Sequence, residues 1–126
     1  MRKNYASGAK WEDIVGYSRA VHINNVLEIS GTVATDGSRI VAQGDFYGQT
    51  QFIIAKIEGV LKQAGFELKD VIRTRIYVTD ISKWEEVGKA HGEYFGLIKP
   101  ATSMVEVSSL IDPAYLVEIE VSAMKE

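Results

Sequence analysis

Residues 45–79 of this chain read DFYGQTQFIIAKIEGVLKQAGFELKDVIRTRIYVT, and a change of pattern within them decides the fold class. From Phe46 to Ala64 the apolar side chains recur at steps of three and four, which predicts a helix with one face on a core. Gly65 is suited to end that helix. From Asp70 to Thr79 the side chains alternate between two faces, which predicts a strand. Of this strand, we place Ile72, Ile76 and Val78 on one face and Val71, Arg73, Arg75 and Tyr77 on the other.

The segments on both sides of this stretch predict further strands and a second helix. The strands predicted before it are Tyr17–Ile23, Val26–Gly31 and Arg39–Ala42, with tight turns at Asn24-Asn25 and Asp36-Gly37. After it come a helix that starts at the capping box Ser82-Lys83-Trp84-Glu85 and runs to Gly96, and strands at Thr102–Val107 and Tyr115–Ala123. The order βββ-α-β-α-ββ predicts an α+β fold, with two helices packed on one face of a mixed sheet in a single domain, residues 1–126.

Composition excludes several classes of function. The 126 residues contain no cysteine and two histidines, so a disulfide frame, a thiolate zinc site and a cysteine nucleophile are ruled out, and no metal is expected. The net charge of −3 argues against a nucleic-acid partner. No apolar run approaches the roughly 18 residues of a membrane span, and no signal sequence is visible, so no membrane partner and a cytoplasmic location are expected.

Chain length also bears on the site. Pockets of roughly 300–1,000 Å³ tend to lie between domains or subunits. We therefore expect an active site in a chain of 126 residues to need a second copy of the chain.

Several short motifs resemble, in order and spacing, those of the YjgF/YER057c/UK114 family, also called the reactive intermediate deaminase (Rid) family. The match covers nearly the whole chain from Gly16 onward. The motifs are Gly16-Tyr17-Ser18-Arg19-Ala20-Val21, Ile29-Ser30-Gly31, Leu61-Lys62-Gln63-Ala64-Gly65, Asp70-Val71, Val78-Thr79-Asp80, Lys99-Pro100-Ala101-Thr102-Ser103-Met104-Val105-Glu106-Val107 and Val117-Glu118-Ile119-Glu120.

The resemblance implies a chorismate-mutase-like fold that assembles as a homotrimer with a ligand cleft at each subunit interface. The best-known members of the family hydrolyse reactive enamines and imines to a 2-keto acid and ammonia, without a metal or an organic cofactor. Some members have been described as ribonucleases, an activity that the negative net charge of this chain does not favour. The expected partners are therefore a small metabolite and further copies of the chain.

Three positions depart from the family pattern. The archetypal deaminases read Pro-Ala-Arg-Ser, and the arginine forks onto the substrate carboxylate; here that position is Thr102, which has one donor and no charge. Met104 stands where cysteine is frequent, and Gly88 where asparagine is usual. A standard 2-imino acid deaminase is therefore not expected.

Three other residues match the family's site. The resemblance makes Glu118 the group that positions or activates the attacking water, with Tyr17 beside it as a catalytic residue. Ser30 and Thr102 are predicted to contact substrate. The alternative for Glu118 is that it and Glu120 only decorate one face of the last strand.

Two further side chains are candidates for the missing positive charge. Arg75, or less favourably Arg73, is predicted to pair with an acid or to receive a ligand anion, because a charge on a central strand needs a partner. The alternative is a solvated face or an ion pair between subunits. His91 is predicted to bind substrate, with packing in the helix face as its alternative.

Two functions remain open at this point. The first is a cofactor-free hydrolase or deaminase that acts on a reactive enamine, imine or related metabolite. The second is a non-catalytic, metabolite-binding or regulatory trimer.

Overall fold

The computed structural model describes all 126 residues and contains one six-stranded sheet. The strands of this sheet, in chain order, are β1 (Arg2–Tyr5), β2 (Ala20–Ile23), β3 (Val26–Val33), β6 (Val71–Val78), β7 (Ala101–Glu106) and β8 (Val117–Met124). The other elements are the short strands β4 (Thr35–Asp36) and β5 (Arg39–Ile40) and the helices α1 (Phe46–Gln63) and α2 (Trp84–Phe95). The spatial order is β1-β2-β3-β8-β6-β7, and only β6 and β7 run parallel. The predicted α+β class with a mixed sheet is confirmed.

The core lies between one face of the sheet and the two helices. Along β8, Val117, Ile119, Val121 and Ala123 are all at most 1% exposed and belong to the core cluster that includes the buried side chains of α1. The intervening residues of β8 lie on the opposite face, which no helix covers. Neither helix is long and apolar enough to cross a membrane.

Helix α1 begins and ends where its sequence indicates. The Asp45 side chain accepts a hydrogen bond from Gly48 N at 2.9 Å and so caps the first turn. At the other end, Gly65 has a φ of +83°, and the N–H groups of Gly65 and Phe66 donate to carbonyls of the last turn. This is a Schellman ending, which explains why a glycine was the correct signal.

The capping box predicted for the second helix is wrong, although the helix itself is confirmed. A single 3₁₀ turn, Ile81–Lys83, precedes α2, and Asp80 is its cap: the Asp80 side chain accepts from Ser82 N at 3.0 Å and from the Ser82 hydroxyl at 2.7 Å. Ser82 therefore donates to a neighbouring carboxylate and does not cap α2.

The strands before α1 differ from the prediction. The edge strand Arg2–Tyr5 was missed, because only Tyr5 of its four residues is buried and the segment carries no apolar alternation. The predicted strand at Arg39–Ala42 is reduced to Arg39–Ile40, which pairs only with β4 in a separate two-stranded ribbon. Three strands of the main sheet do precede α1, but β1 takes the place that the segment near Arg39 was given.

A bulge in β6 changes which side chains face the core. Val71 pairs with Ala123 and Arg73 with Ser122, so Ile72 is an extra residue opposite β8. As a result Ile72 is 48% exposed and Val71 is buried, the reverse of the alternation predicted for them.

The bulge yields a matched pair of substitutions. Ile76→Ala removes a side chain that is 1% exposed and should lower the free energy of unfolding by about 2–5 kcal/mol. Ile72→Ala should cost about 1 kcal/mol or less, since about half of the side chain is in water. Urea unfolding at a fixed protein concentration measures both values, and equal costs would contradict the bulged register.

Candidate functional site

A cleft of about 780 Å³ opens beside the start of β8. Its walls come from the loop 7–19, from residues 31–37 at the end of β3 and in the β4–β5 ribbon, from α1 and from the loop 111–115. The main sheet contributes one acidic side chain to this cleft, that of Glu118 on β8. The volume suits a small metabolite.

A buried carboxylate holds the wall formed by loop 7–19. Glu12 is 6% exposed and accepts hydrogen bonds from both the backbone N–H and the hydroxyl of Ser7. Glu12 begins a short π-helix that ends at Gly16, and Tyr17, which follows it, lines the cleft. The hydrogen bonds between Ser7 and Glu12 therefore fix the loop that leads to Tyr17.

Glu118 is half-buried in the cleft wall and packs against the backbone of Gly31. A second bulge, between Ile29 and Thr32 of β3, puts Ser30 and Gly31 opposite one residue of β8. A Cβ built on Gly31 would overlap the Glu118 carboxylate, so a residue without a side chain is required for this approach. Burial raises the pKa of Glu118, the neighbouring charge of Glu120 raises it further, and Arg19 opposes both.

Two basic side chains also line the cleft, and the sequence reasoning did not select either of them. The Arg19 guanidinium donates to Gly31 O at 2.6 Å, and Lys56 Nζ donates to Thr35 O at 2.9 Å. Burial lowers the pKa of both groups. Arg19 had a signal, since it stands within the Gly16–Val21 motif, whereas the place of Lys56 at the cleft depends on how α1 packs and had none in the sequence.

His91 and Thr102 lie outside this cleft of the single chain, in a chain of hydrogen bonds around Thr74. Thr102 Oγ1 donates to Pro100 O at 3.1 Å, which leaves its oxygen to accept from Thr74 Oγ1 at 2.8 Å. Thr74 has then used its one proton, so His91 Nε2–H donates to it at 2.9 Å. Burial lowers the pKa of His91, which favours the neutral form of the ring.

Arg75 and Ser30 are also placed away from the cleft. Arg75 Nε lies 3.7 Å from Glu120 on the uncovered face of the sheet, and Tyr77 donates to the same carboxylate at 3.1 Å. The Ser30 hydroxyl donates to Ser18 O at 2.6 Å. Of the predicted site residues, a single chain thus brings together Glu118 and Tyr17 and leaves Arg75, Thr102, Ser30 and His91 elsewhere.

The chemistry of this cleft is that of acids and bases. No group of three or more His, Asp or Glu side chains is arranged to hold a metal ion. Fold and cleft together define a class: small α+β proteins that present a half-buried carboxylate, two cations and a tyrosine to a metabolite-sized cleft.

Comparison with known proteins identifies the family. The model of the endoribonuclease L-PSP family matches residues 7–125. A RutC family protein, PH0854, from Pyrococcus horikoshii is 37% identical over 87% of each chain, and the uncharacterized protein SCO2049 from Streptomyces coelicolor is 33% identical over 94% of this chain and 89% of its own. The crystal structure of Rv2704 from Mycobacterium tuberculosis, described as a member of the YjgF/YER057c/UK114 family, superposes with a TM-score of 0.90 at 48% identity, over 99% of this chain and 100% of that one.

The chain therefore belongs to the endoribonuclease L-PSP, or YjgF/YER057c/UK114, family. The resemblance carried by the sequence motifs is confirmed, and so is the chorismate-mutase-like fold that it implies. The roles of the individual site residues stay predictions.

The packing of Glu118 against Gly31 can be tested directly. In Gly31→Ala the new methyl group displaces the end of a flexible side chain, so the free energy of unfolding should change by less than about 1 kcal/mol. The displaced carboxylate moves toward solvent, and its pKa, followed by NMR of the side-chain carbon, should fall toward the ordinary value. Gly59→Ala, at an open helix position, is the control and should leave the pKa of Glu118 unchanged. A Glu118 pKa as high in Gly31→Ala as in the native chain would contradict this packing.

Proposed function

We propose that this protein is a cofactor-free hydrolase of a reactive enamine, imine or related metabolite, and that it works as a homotrimer with clefts between subunits. The observation that carries the proposal is the half-buried Glu118 carboxylate in the wall of a metabolite-sized cleft, with a pKa raised by burial. A carboxylate of raised pKa is a stronger base at neutral pH than an exposed one. Family membership supports the small-molecule role.

The reaction adds water across a carbon–nitrogen double bond. An enamine first takes a proton from solvent at carbon, and an imine takes one at nitrogen; both give an iminium ion. The Glu118 carboxylate accepts a proton from water while the water oxygen bonds to the iminium carbon and the π electrons move to nitrogen, which gives a neutral carbinolamine. Protonated Glu118 then returns the proton to nitrogen, the C–N bond breaks as the hydroxyl group gives its proton to solvent, and the products are a carbonyl compound and ammonia. The Tyr17 hydroxyl, at the same cleft, is assigned to orient the water or the leaving nitrogen.

The arrangement around Thr102 supports a site that differs from the archetypal one. Its single proton is directed to Pro100 O, and its oxygen accepts from Thr74, so no donor of Thr102 is free for a substrate carboxylate. We therefore propose that the chain is not a standard 2-imino acid deaminase in the way it holds its substrate.

The uncovered sheet face supports the trimer. It carries the Arg75–Glu120 pair, with side chains 43% and 34% exposed, and the 48%-exposed Val105. Apolar and paired charged groups on an open face are typical of a subunit contact. A neighbouring copy seated there is also the route by which Arg75 would approach a cleft that contains Glu118.

The assembly predicts a particle three times the chain mass of 14.0 kDa in gel filtration with light scattering. Val105→Glu adds a charge to the proposed interface and should shift the mass toward that of one chain. Glu85→Gln, a change on the exposed side of α2, should leave the trimer intact. A native protein that elutes with the mass of a single chain would overturn the trimer.

Hydrolysis is tested by generating imines in the presence of the protein. An amino-acid oxidase supplies 2-imino acids of increasing size and an amine oxidase supplies imines without a carboxylate, and ammonia and carbonyl release are compared with the spontaneous rate. At least one series should be accelerated, and Glu118→Gln should reduce that acceleration by about 10²-fold or more. Lys62→Gln, a change at an exposed position of α1 outside the cleft, should retain the rate within about threefold.

The pH dependence supplies a second readout. Only ionised Glu118 accepts a proton from water, so the rate should fall as pH is lowered through a pKa above that of an ordinary glutamate. Glu120→Gln removes a neighbouring charge that raises this pKa, and should move the acid limb to lower pH.

No acceleration with any imine would overturn the hydrolase. The second candidate, a non-catalytic metabolite-binding or regulatory trimer, is favoured by the engaged Thr102, which leaves the archetypal carboxylate fork without a replacement at that position. Metabolite binding by a protein that accelerates none of the reactions would establish it.

A further inference from the structure

We propose that Arg19 and Lys56 form an anion site that binds the carboxylate of a small organic acid, at a place in the cleft distinct from Thr102. The inference deepens the proposed function and rests on it for the cleft, but its test measures binding alone. The evidence is the unusual state of two basic side chains inside the cleft.

Arg19 is half-buried and makes no salt bridge, although the charges of Glu12 and Glu118 act on its pKa. No carboxylate lies within 4.0 Å of it, and its one side-chain hydrogen bond goes to Gly31 O at 2.6 Å. Its Nε is buried and makes no hydrogen bond. A guanidinium has five N–H donors in a planar fork, so most of its capacity is unused. A half-buried cation in this state is stabilised by an anion that enters the cleft.

Lys56 supplies a second cation from a different element. It projects from α1 into the same cleft, donates once to Thr35 O at 2.9 Å, and has two further N–H donors. Arg19 is close enough to lower the pKa of Lys56, so the two charges repel each other. Two like charges converge on one cleft at an energetic cost that a bound anion removes.

The charges in the cleft favour a monoanion. Arg19 and Lys56 together with ionised Glu118 carry a net charge of one positive unit. The fourth charged residue of the cleft, Asp36, is offset by its exposed ion pair with Arg39 at 3.4 Å, although its charge still raises the pKa of Lys56. A single carboxylate neutralises this net positive charge. A dianionic phosphate would leave the cleft with a net negative charge and would bring a second negative charge toward Glu118. Gly31 links the proposed anion site to Glu118. Its carbonyl oxygen accepts a hydrogen bond from Arg19, and its α-carbon, which carries no side chain, lets the Glu118 carboxylate pack against it.

The rest of the cleft can take the remainder of such an acid. Glu118, Tyr17 and the apolar side chains of Trp11 and Phe52 line the same cleft. The ligand class is therefore small organic monoacids with a partly apolar remainder.

The test is equilibrium binding of product analogues, measured by calorimetry or by ligand NMR. The probes are pyruvate, 2-oxobutyrate and phenylpyruvate, each compared with its uncharged methyl ester, and inorganic phosphate. At least one 2-oxo acid should bind the native protein ten times or more tightly than its ester, and Arg19→Gln and Lys56→Gln should each weaken that acid tenfold or more. Arg19→Lys, which keeps the charge, should recover part of the loss.

Lys62→Gln is the matched control, since Lys62 is an exposed lysine of the same helix paired with Glu58. It should bind all probes as the native chain does. The acid–ester comparison uses the unmodified protein and so stays decisive if a variant fails to fold. Equal binding of every acid and its ester, tighter binding of phosphate than of any acid, or native affinity in Lys56→Gln would overturn the proposal. Because no turnover is measured, the carboxylate site can be confirmed in a protein that is not a hydrolase, and it can fail in one that is.

Discussion

The two faces of β8 are the constraint on which the structure depends. Each residue that points to the helices is almost completely buried, and each residue between them, Glu118, Glu120 and Ser122, points the other way. Because side chains of a strand alternate strictly, the strand that completes the core also carries the acid of the cleft. Hydrophobic burial on one face therefore fixes the position of a carboxylate on the other, and no separate element is needed to hold it.

The parts of the fold that follow from periodicity were predictable. Helix α1 with its glycine end, helix α2, and the strands β2, β3, β6, β7 and β8 are all indicated by spacing. What escaped prediction depends on tertiary contacts. Residues Arg2–Tyr5 become a strand only because β2 offers an edge, and Ile72 leaves the core because an extra residue is accommodated opposite β8. The local sequence gives no information about β2 as the partner of Arg2–Tyr5 or about β8 as the partner of β6.

The site was predictable to a smaller extent. Glu118 and Tyr17 line one cleft, as the family pattern implied. Arg75 and His91, the side chains predicted to replace the missing arginine, lie on strand and helix faces outside it. Arg19 was overlooked although it stands within a quoted motif, because its burial depends on how β3 bulges beside it. Burial and pairing decide which cation is free to meet a ligand, and neither quantity can be read from spacing.

The two bulges have a consequence for how such a chain can change over evolutionary time. An insertion of one residue in β8 would exchange core and cleft side chains on one side of the insertion, and it would disrupt both the core and the cleft. The extra residues instead lie in β3 and β6, on either side of a β8 that has none. The neighbouring strands thereby accommodate the extra residues, and the central strand keeps the register that separates the core side chains from the Glu118 carboxylate.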